Sequence, residues 1–124
     1  MVKKEVKTDK APQPAGPYSQ GLITENRIYV AGQTPRHPST GEIPEGIEEQ
    51  TRLVMMNLKN IIETAGGTMD NVVKSTVHLT NLDDFEAFNK VYSSFFNPPY
   101  PVRTTVGSAL RGGILVEVNV IAEL

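Results

Sequence analysis

Pro98-Pro99-Tyr100-Pro101-Val102-Arg103-Thr104-Thr105-Val106, continued by Gly112-Gly113-Ile114-Leu115-Val116-Glu117-Val118-Asn119-Val120-Ile121-Ala122, is the stretch on which the reading of this 124-residue chain turns. Two β-type runs lie here, separated by the loop-forming Arg111-Gly112-Gly113. In the first, Val102, Thr104 and Val106 alternate with Arg103, Thr105 and Gly107; in the second, Val116, Val118 and Val120 alternate with Glu117, Asn119 and Ile121. Successive side chains of a strand point to opposite faces. Each run therefore holds one charged residue, Arg103 or Glu117, on the face away from its valines, where it is presented to something.

Working back along the chain, Val2 to Lys7 reads as a short charged edge strand, since lysines on an edge discourage pairing with other chains. The segment Lys10 to Gly21 holds three prolines and two glycines and reads as an ordered loop carrying Tyr18. Tyr18 either pins that loop to the body or lines a cleft. Leu22-Ile23-Thr24 and Arg27 to Gly32 form a β-hairpin, with Asn26 supplying the turn character. Gly32 either starts the long turn-rich loop that follows or lets a ligand approach the backbone, the turn being the commoner use. From Glu48 to Ala65 the apolar spacing is helical, with Leu53, Val54, Leu58, Ile61, Ile62 and Ala65 on one stripe and Gly66-Gly67 as the stop. Val72 to Leu79 is a β-branched strand in which Val73, Val77 and Leu79 share one face and Lys74, Thr76 and His78 the other. Asn81 or Asp83 caps a second helix with a stripe of Phe85, Phe88, Tyr92 and Phe95, and this stripe reads as core.

Six strands and two amphipathic helices give an α+β domain spanning residues 1–124, with both helices on the aliphatic face of the sheet. The other face, carrying Tyr29, Lys74, Thr76, His78, Arg103, Thr105, Glu117 and Asn119, is left for water or for another subunit. Arg103 suits a carboxylate because its planar guanidinium grips both oxygens. Glu117 suits a group that orients water or carries a proton. A structural ion pair between the two is the competing account.

Several chemistries are excluded or disfavoured. The chain has no cysteine, which rules out disulfides, thiolate nucleophiles and cysteine-ligated metal, and leaves a reducing cytoplasm open as its setting. His37 and His78 have no companions at metal-ligand spacing, so no metal site is expected. A net charge of −2 with both signs interspersed argues against nucleic acid as a partner, and the basic start lacks the apolar run of a signal peptide or membrane anchor. No glycine-flanked serine elbow is present, and no phosphate-binding glycine motif opens a helix.

A run of motifs nevertheless carries a resemblance. Ala15-Gly16-Pro17-Tyr18-Ser19-Gln20, Val30-Ala31-Gly32-Gln33-Thr34-Pro35 with Thr40-Gly41-Glu42, Gln50-Thr51-Arg52, Asn57-Leu58, Thr64-Ala65-Gly66-Gly67, Leu82-Asp83-Asp84-Phe85 with Asn89-Lys90-Val91-Tyr92, Pro101 to Val106, and Val116-Glu117-Val118 follow one another in order. In this the chain resembles the Rid (YjgF) family of reactive-intermediate deaminases. The resemblance implies a chorismate-mutase-like α+β fold with a mixed six-stranded sheet, assembled as a homotrimer with clefts between subunits. It implies that the last strand inserts beside the hairpin, and that Arg103 and Glu117 share a sheet face. It further implies hydrolysis of enamine and imine intermediates such as 2-aminoacrylate and 2-iminopropionate to a 2-oxo acid and ammonia, with no metal or organic cofactor. Arg103 would clamp the substrate carboxylate, Glu117 would handle water and protons, Tyr18 would cover the substrate, and Gly32 and Thr105 would add backbone contacts. Two residues depart from the family pattern: Thr105 stands where many relatives have cysteine, and Asn119 where a second glutamate is usual. A non-catalytic small-acid binder, or a chaperone-like or ribonuclease member of the same family, is the alternative.

Overall fold

The computed structural model describes residues 2–124. Its order is β1 (Lys3–Val6), β2 (Gly21–Thr24), β3 (Arg27–Gln33), α1 (Ile47–Thr64), β4 (Val72–Leu79), α2 (Phe85–Ser93), β5 (Val102–Gly107) and β6 (Val116–Glu123), with short 3-10 turns at Met69–Asn71 and Leu82–Asp84. The six strands make one sheet in the order β1-β2-β3-β6-β4-β5. All neighbours are antiparallel except β4 and β5, which are parallel and joined through α2. The last strand does insert beside the hairpin, between β3 and β4.

The helices form where the apolar spacing predicts. α1 turns Val54, Leu58, Ile61 and Ile62 onto the sheet, where they are fully buried with Ile28, Val77, Val116 and Val118. It stops at Gly66, whose φ of 96° suits a residue without Cβ, and the Gly67 N–H closes the end on the Ile62 carbonyl at 3.0 Å. Asn81 caps the turn that leads into α2, its side chain accepting from the Asp83 N–H at 2.9 Å. Phe88, Tyr92 and Phe96 stack in series with ring centroids 5.2 and 4.9 Å apart, so Phe96 rather than Phe95 completes the buried row.

Three local expectations need correction. The hairpin turn has Glu25, not Asn26, in the left-handed region, at φ 51°. In β4 a bulge between Val72 and Lys74 opposes two steps of this strand to one of β6. The bulge reverses the alternation there, so Val72 enters the core and Val73 is exposed, while Ser75, Val77 and Leu79 face the helices. In β5 the valines are the outward residues: Val102 is 68 % exposed, whereas Arg103 and Thr105 turn toward the helix side. The reason lies in register. Arg103 and Thr105 stand opposite Ser75 and Val77 of β4, which face the helices, so they share that face.

Candidate functional site

Arg103 leaves the edge strand toward α2. Its Nη1 donates to Asn89 Oδ1 at 2.8 Å, and its guanidinium carbon lies 5.0 Å from the ring centre of Tyr92, 5.4 Å from Phe85 and 5.8 Å from Phe88. The aromatic stripe therefore has two uses. Its inner rings fill the core, and its outer edge is a platform that holds a cation by its negative π faces. Tyr92 is fixed in turn by a buried 2.8 Å hydrogen bond to Ser75. Burial pushes the Tyr92 phenol pKa up, opposed by the Ser75 hydrogen bond and the Arg103 charge.

Beside this platform lies an open cavity of about 450 Å³ lined by Asn89, Tyr92, Ser93, Tyr100, Pro101 and Arg103. The ion pairs among the described residues join Arg27 to Glu123, Arg52 to Glu49 and Lys90 to Glu48, all at the surface, and Arg103 takes part in none. Its fork is held from one side by an amide and has no carboxylate of its own chain. Thr105, two residues on along the same face, buries a hydroxyl oxygen with no hydrogen-bond partner.

Glu117 lies elsewhere. Its neighbours Val116 and Val118 are fully buried beneath the helices, so Glu117 emerges on the opposite face, as do its cross-strand partner His78 and, beyond it, Val106. The expectation that Arg103 and Glu117 share a face is thus overturned, and with it an ion pair between them. The valine register of β6 and the helix-facing register of β5 are out of step by one residue, and one residue is the difference between two faces.

Gly32 belongs with Glu117. It sits inside β3, in a stretch where the pairing to β6 slips between Val30 and Gln33, and does not open a turn. A Cβ built on Gly32 would stand 2.5 Å from Glu117 Oε2, so the glycine's missing side chain is the space the carboxylate occupies. Tyr18 is tied to this strand only through its loop: the Gln20 carbonyl accepts from the Ala31 N–H at 2.9 Å, next to Gly32 in sequence. Tyr18 itself is 52 % exposed, with its hydroxyl accepting from the Ala15 N–H at 3.3 Å. Four of the five sequence candidates therefore fall into two groups, Arg103 with Thr105 on one face and Glu117 with Gly32 on the other, while Tyr18 stands exposed on a loop tied beside β3.

Sequence reasoning missed the residues that hold these groups. Asn89, which grips Arg103, carries no signal of its own in the sequence beyond its place in a motif. Gln20 is buried and binds the backbone of Thr8, Ala11 and Pro12, which fixes the Tyr18 loop. Gln50 is buried and donates to the Pro44 and Gly113 carbonyls while accepting from the Leu115 N–H. Asn57 donates to the carbonyls of Thr34 and Arg36. The signal was present: Gln50 and Asn57 sit at the spacing of the apolar stripe of α1, and an amide there has to satisfy a backbone.

The fold is thus a helix-backed α+β sheet with one bare face, an arginine platform on the helix side and a glycine-seated carboxylate on the other. Comparison with known proteins makes the class specific. The chain belongs to the Rid (YjgF) family: the family model described as Endoribonuclease L-PSP matches residues 8–124. A RutC family protein of Pyrococcus abyssi is 48 % identical over 124 residues, 98 % of each chain. RidA from the Antarctic bacterium Psychrobacter sp. matches with a TM-score of 0.94 at 40 % identity, covering 98 % of this chain and 99 % of that one. Escherichia coli TdcF, solved with bound serine, matches with a TM-score of 0.94 at 38 % identity over 98 % of each chain. TdcF is provisionally named a reactive intermediate deaminase.

Proposed function

We propose that this protein is a hydrolytic deaminase of enamine and imine intermediates, converting 2-aminoacrylate and its tautomer 2-iminopropionate to pyruvate and ammonia. The observation that carries this reading is Arg103: a guanidinium seated on aromatic rings, tethered by Asn89, free of any carboxylate of its own chain, and opening on a metabolite-sized cavity. A substrate carboxylate is the group that completes such a fork. The relative solved with serine binds a molecule with the same α-carboxylate, which supports this choice of ligand class.

In this reading the active unit is a homotrimer with sites between subunits. Within one chain Arg103 and Glu117 point to opposite faces, so one substrate meets both only where two copies adjoin. The bare face, with Val102, Val106 and Tyr29 exposed on it, supplies the apolar area that such contact needs. Arg103 of one copy would hold the carboxylate while Glu117 of the next, seated against Gly32, takes a proton from water as it adds to the electrophilic imine carbon. Tyr18 would cover the substrate, and Thr105 would contribute backbone contacts. A cysteine-free chain of this kind suits the cytoplasm, and no helix among the described residues is long and apolar enough to cross a membrane.

The test is to generate 2-aminoacrylate with a serine dehydratase and follow its disappearance. The protein accelerates pyruvate release, and Arg103→Ala does not. Binding of pyruvate without any acceleration would replace the deaminase with a non-catalytic binder of small acids.

A further inference from the structure

His78 and Ser108 form a second polar constellation on the Glu117 face that no role above has used. His78 stands directly opposite Glu117 in the β4–β6 register, and side chains so paired have Cβ atoms about 5 Å apart. Its Nδ1 lies 2.8 Å from Ser108 Oγ. Ser108 is placed by its own N–H, which donates to the Leu79 carbonyl at 2.9 Å and prolongs the β4–β5 pairing one step past Gly107. One imidazole nitrogen is thereby fixed, and Nε2 has no hydrogen-bond partner among the described residues. The charged groups facing His78 are Glu117 across β6 and Lys74 two rows along β4; β5 presents only Val106 and Thr104.

We propose that His78, oriented by Ser108, is the partner of Glu117 in proton transfer, giving a proton to the substrate nitrogen while Glu117 takes one from water. This rests on the deaminase reading. Imine hydrolysis needs protons to move in opposite directions in each of its two steps. In addition, the water oxygen bonds to carbon, the C=N π pair moves to nitrogen, Glu117 accepts the water proton and His78 protonates nitrogen. In collapse, Glu117 returns its proton to nitrogen, the C–N bond breaks to release ammonia, and the hydroxyl proton passes to His78 as C=O forms. Both residues end as they began.

The chain has two histidines, so imidazole NMR resolves both, and His37, whose Nδ1 accepts from the N–H groups of Ser39 and Thr40 in the loop after β3, is the internal control. Adding pyruvate to the whole protein should move the His78 ring signals and leave those of His37 in place, and should move neither in Arg103→Ala. His78→Asn, which keeps a donor and acceptor near the Nδ1 position, should lower kcat about 100-fold with KM within about twofold. His78→Ala should regain part of the loss when imidazole is added. His78 signals unmoved by pyruvate, or His78→Asn turning over at the parent rate, would overturn the proposal. Moved signals in a protein that hydrolyses no imine would leave His78 at the ligand site and reject the deaminase reading instead.

Discussion

Replacing Gly32 with alanine separates the placement of Glu117 from the stability of the fold. The new Cβ would meet Glu117 Oε2 at 2.5 Å, Cδ at 3.1 Å and Cγ at 3.3 Å. Ordinary contact begins near 3.4 Å, so the carboxylate must retreat by about 1 Å. The backbone has no reason to object, because Gly32 is not among the glycines with positive φ. The atom that yields is the far end of a flexible side chain, and alanine in a strand interior is favoured over glycine by about 0.5–1 kcal/mol. Thermal stability should therefore hold or rise slightly. Turnover should not: a misplacement of about 1 Å in a reacting group costs on the order of 100-fold. The assay is pyruvate release from 2-aminoacrylate, set beside a melting curve of the same preparation. Gly32→Ala with the parent kcat would show that the seat of Glu117 is irrelevant to function. A variant that fails to fold would show that the carboxylate cannot yield, and would refute the geometric argument itself.

Three further expectations follow from the same geometry. Arg103→Lys keeps the charge but loses the fork, hence about one charge-assisted hydrogen bond of 1.5–3 kcal/mol, and kcat/KM should fall roughly 10- to 150-fold; a change under threefold would reject a bidentate clamp. Because the Tyr92 phenol pKa is raised by burial, its neutral form is bound to the fold. Its contribution is whole below the unfolded value of about 10 and is lost as pH rises from there through the folded pKa, so urea midpoints should decline above pH 10 in the parent and decline less in Tyr92→Phe. Tyr92→Phe should also lose about 1–2 kcal/mol at neutral pH by stranding the buried Ser75 hydroxyl. On the proposed trimer, Val102→Glu, at a position 68 % exposed in the single chain, should leave the isolated fold intact yet shift the mass by light scattering from three times 13.6 kDa to one, with activity lost. A fully active trimeric Val102→Glu would move the subunit contact elsewhere.

Much of the architecture was legible because it rests on period. The stripe of α1, the hairpin arms and the valines of β6 bury the residues that alternation assigns, since each contacts a continuous apolar layer. Legibility failed where a single residue of register decides the outcome. The Val72–Lys74 bulge cannot be read from a run of β-branched residues, and it exchanged Val73 for Val72. β5 failed for a different reason. As an edge strand it has core on neither side for its full length, so valine is no guide to the inward face, and a cation settled on aromatic rings while Val102 faced out. Arg103 and Glu117 stand out in the sequence as lone charges among apolar neighbours, but alternation alone places them on one face, and the register of β5 against β4 places them on two. The seat of Glu117 against Gly32 is a contact between residues 85 positions apart in the middle of the sheet, which no local pattern encodes.

The place of β6 in the sheet also sets an order of events during synthesis. β1 to β3 and β4 to β5 are separately paired, yet the two halves share no strand ladder until β6 slots between β3 and β4. A nascent chain that has emerged only as far as Gly113 carries two unpaired strand edges facing a gap one strand wide. Such edges invite pairing with foreign strands, and long-range closure of this kind is slow. Ribosome stalling before Val116, or a premature stop there, should therefore yield aggregation-prone material instead of a shortened but folded domain, and Glu117 would be among the last residues to find its neighbour, Gly32.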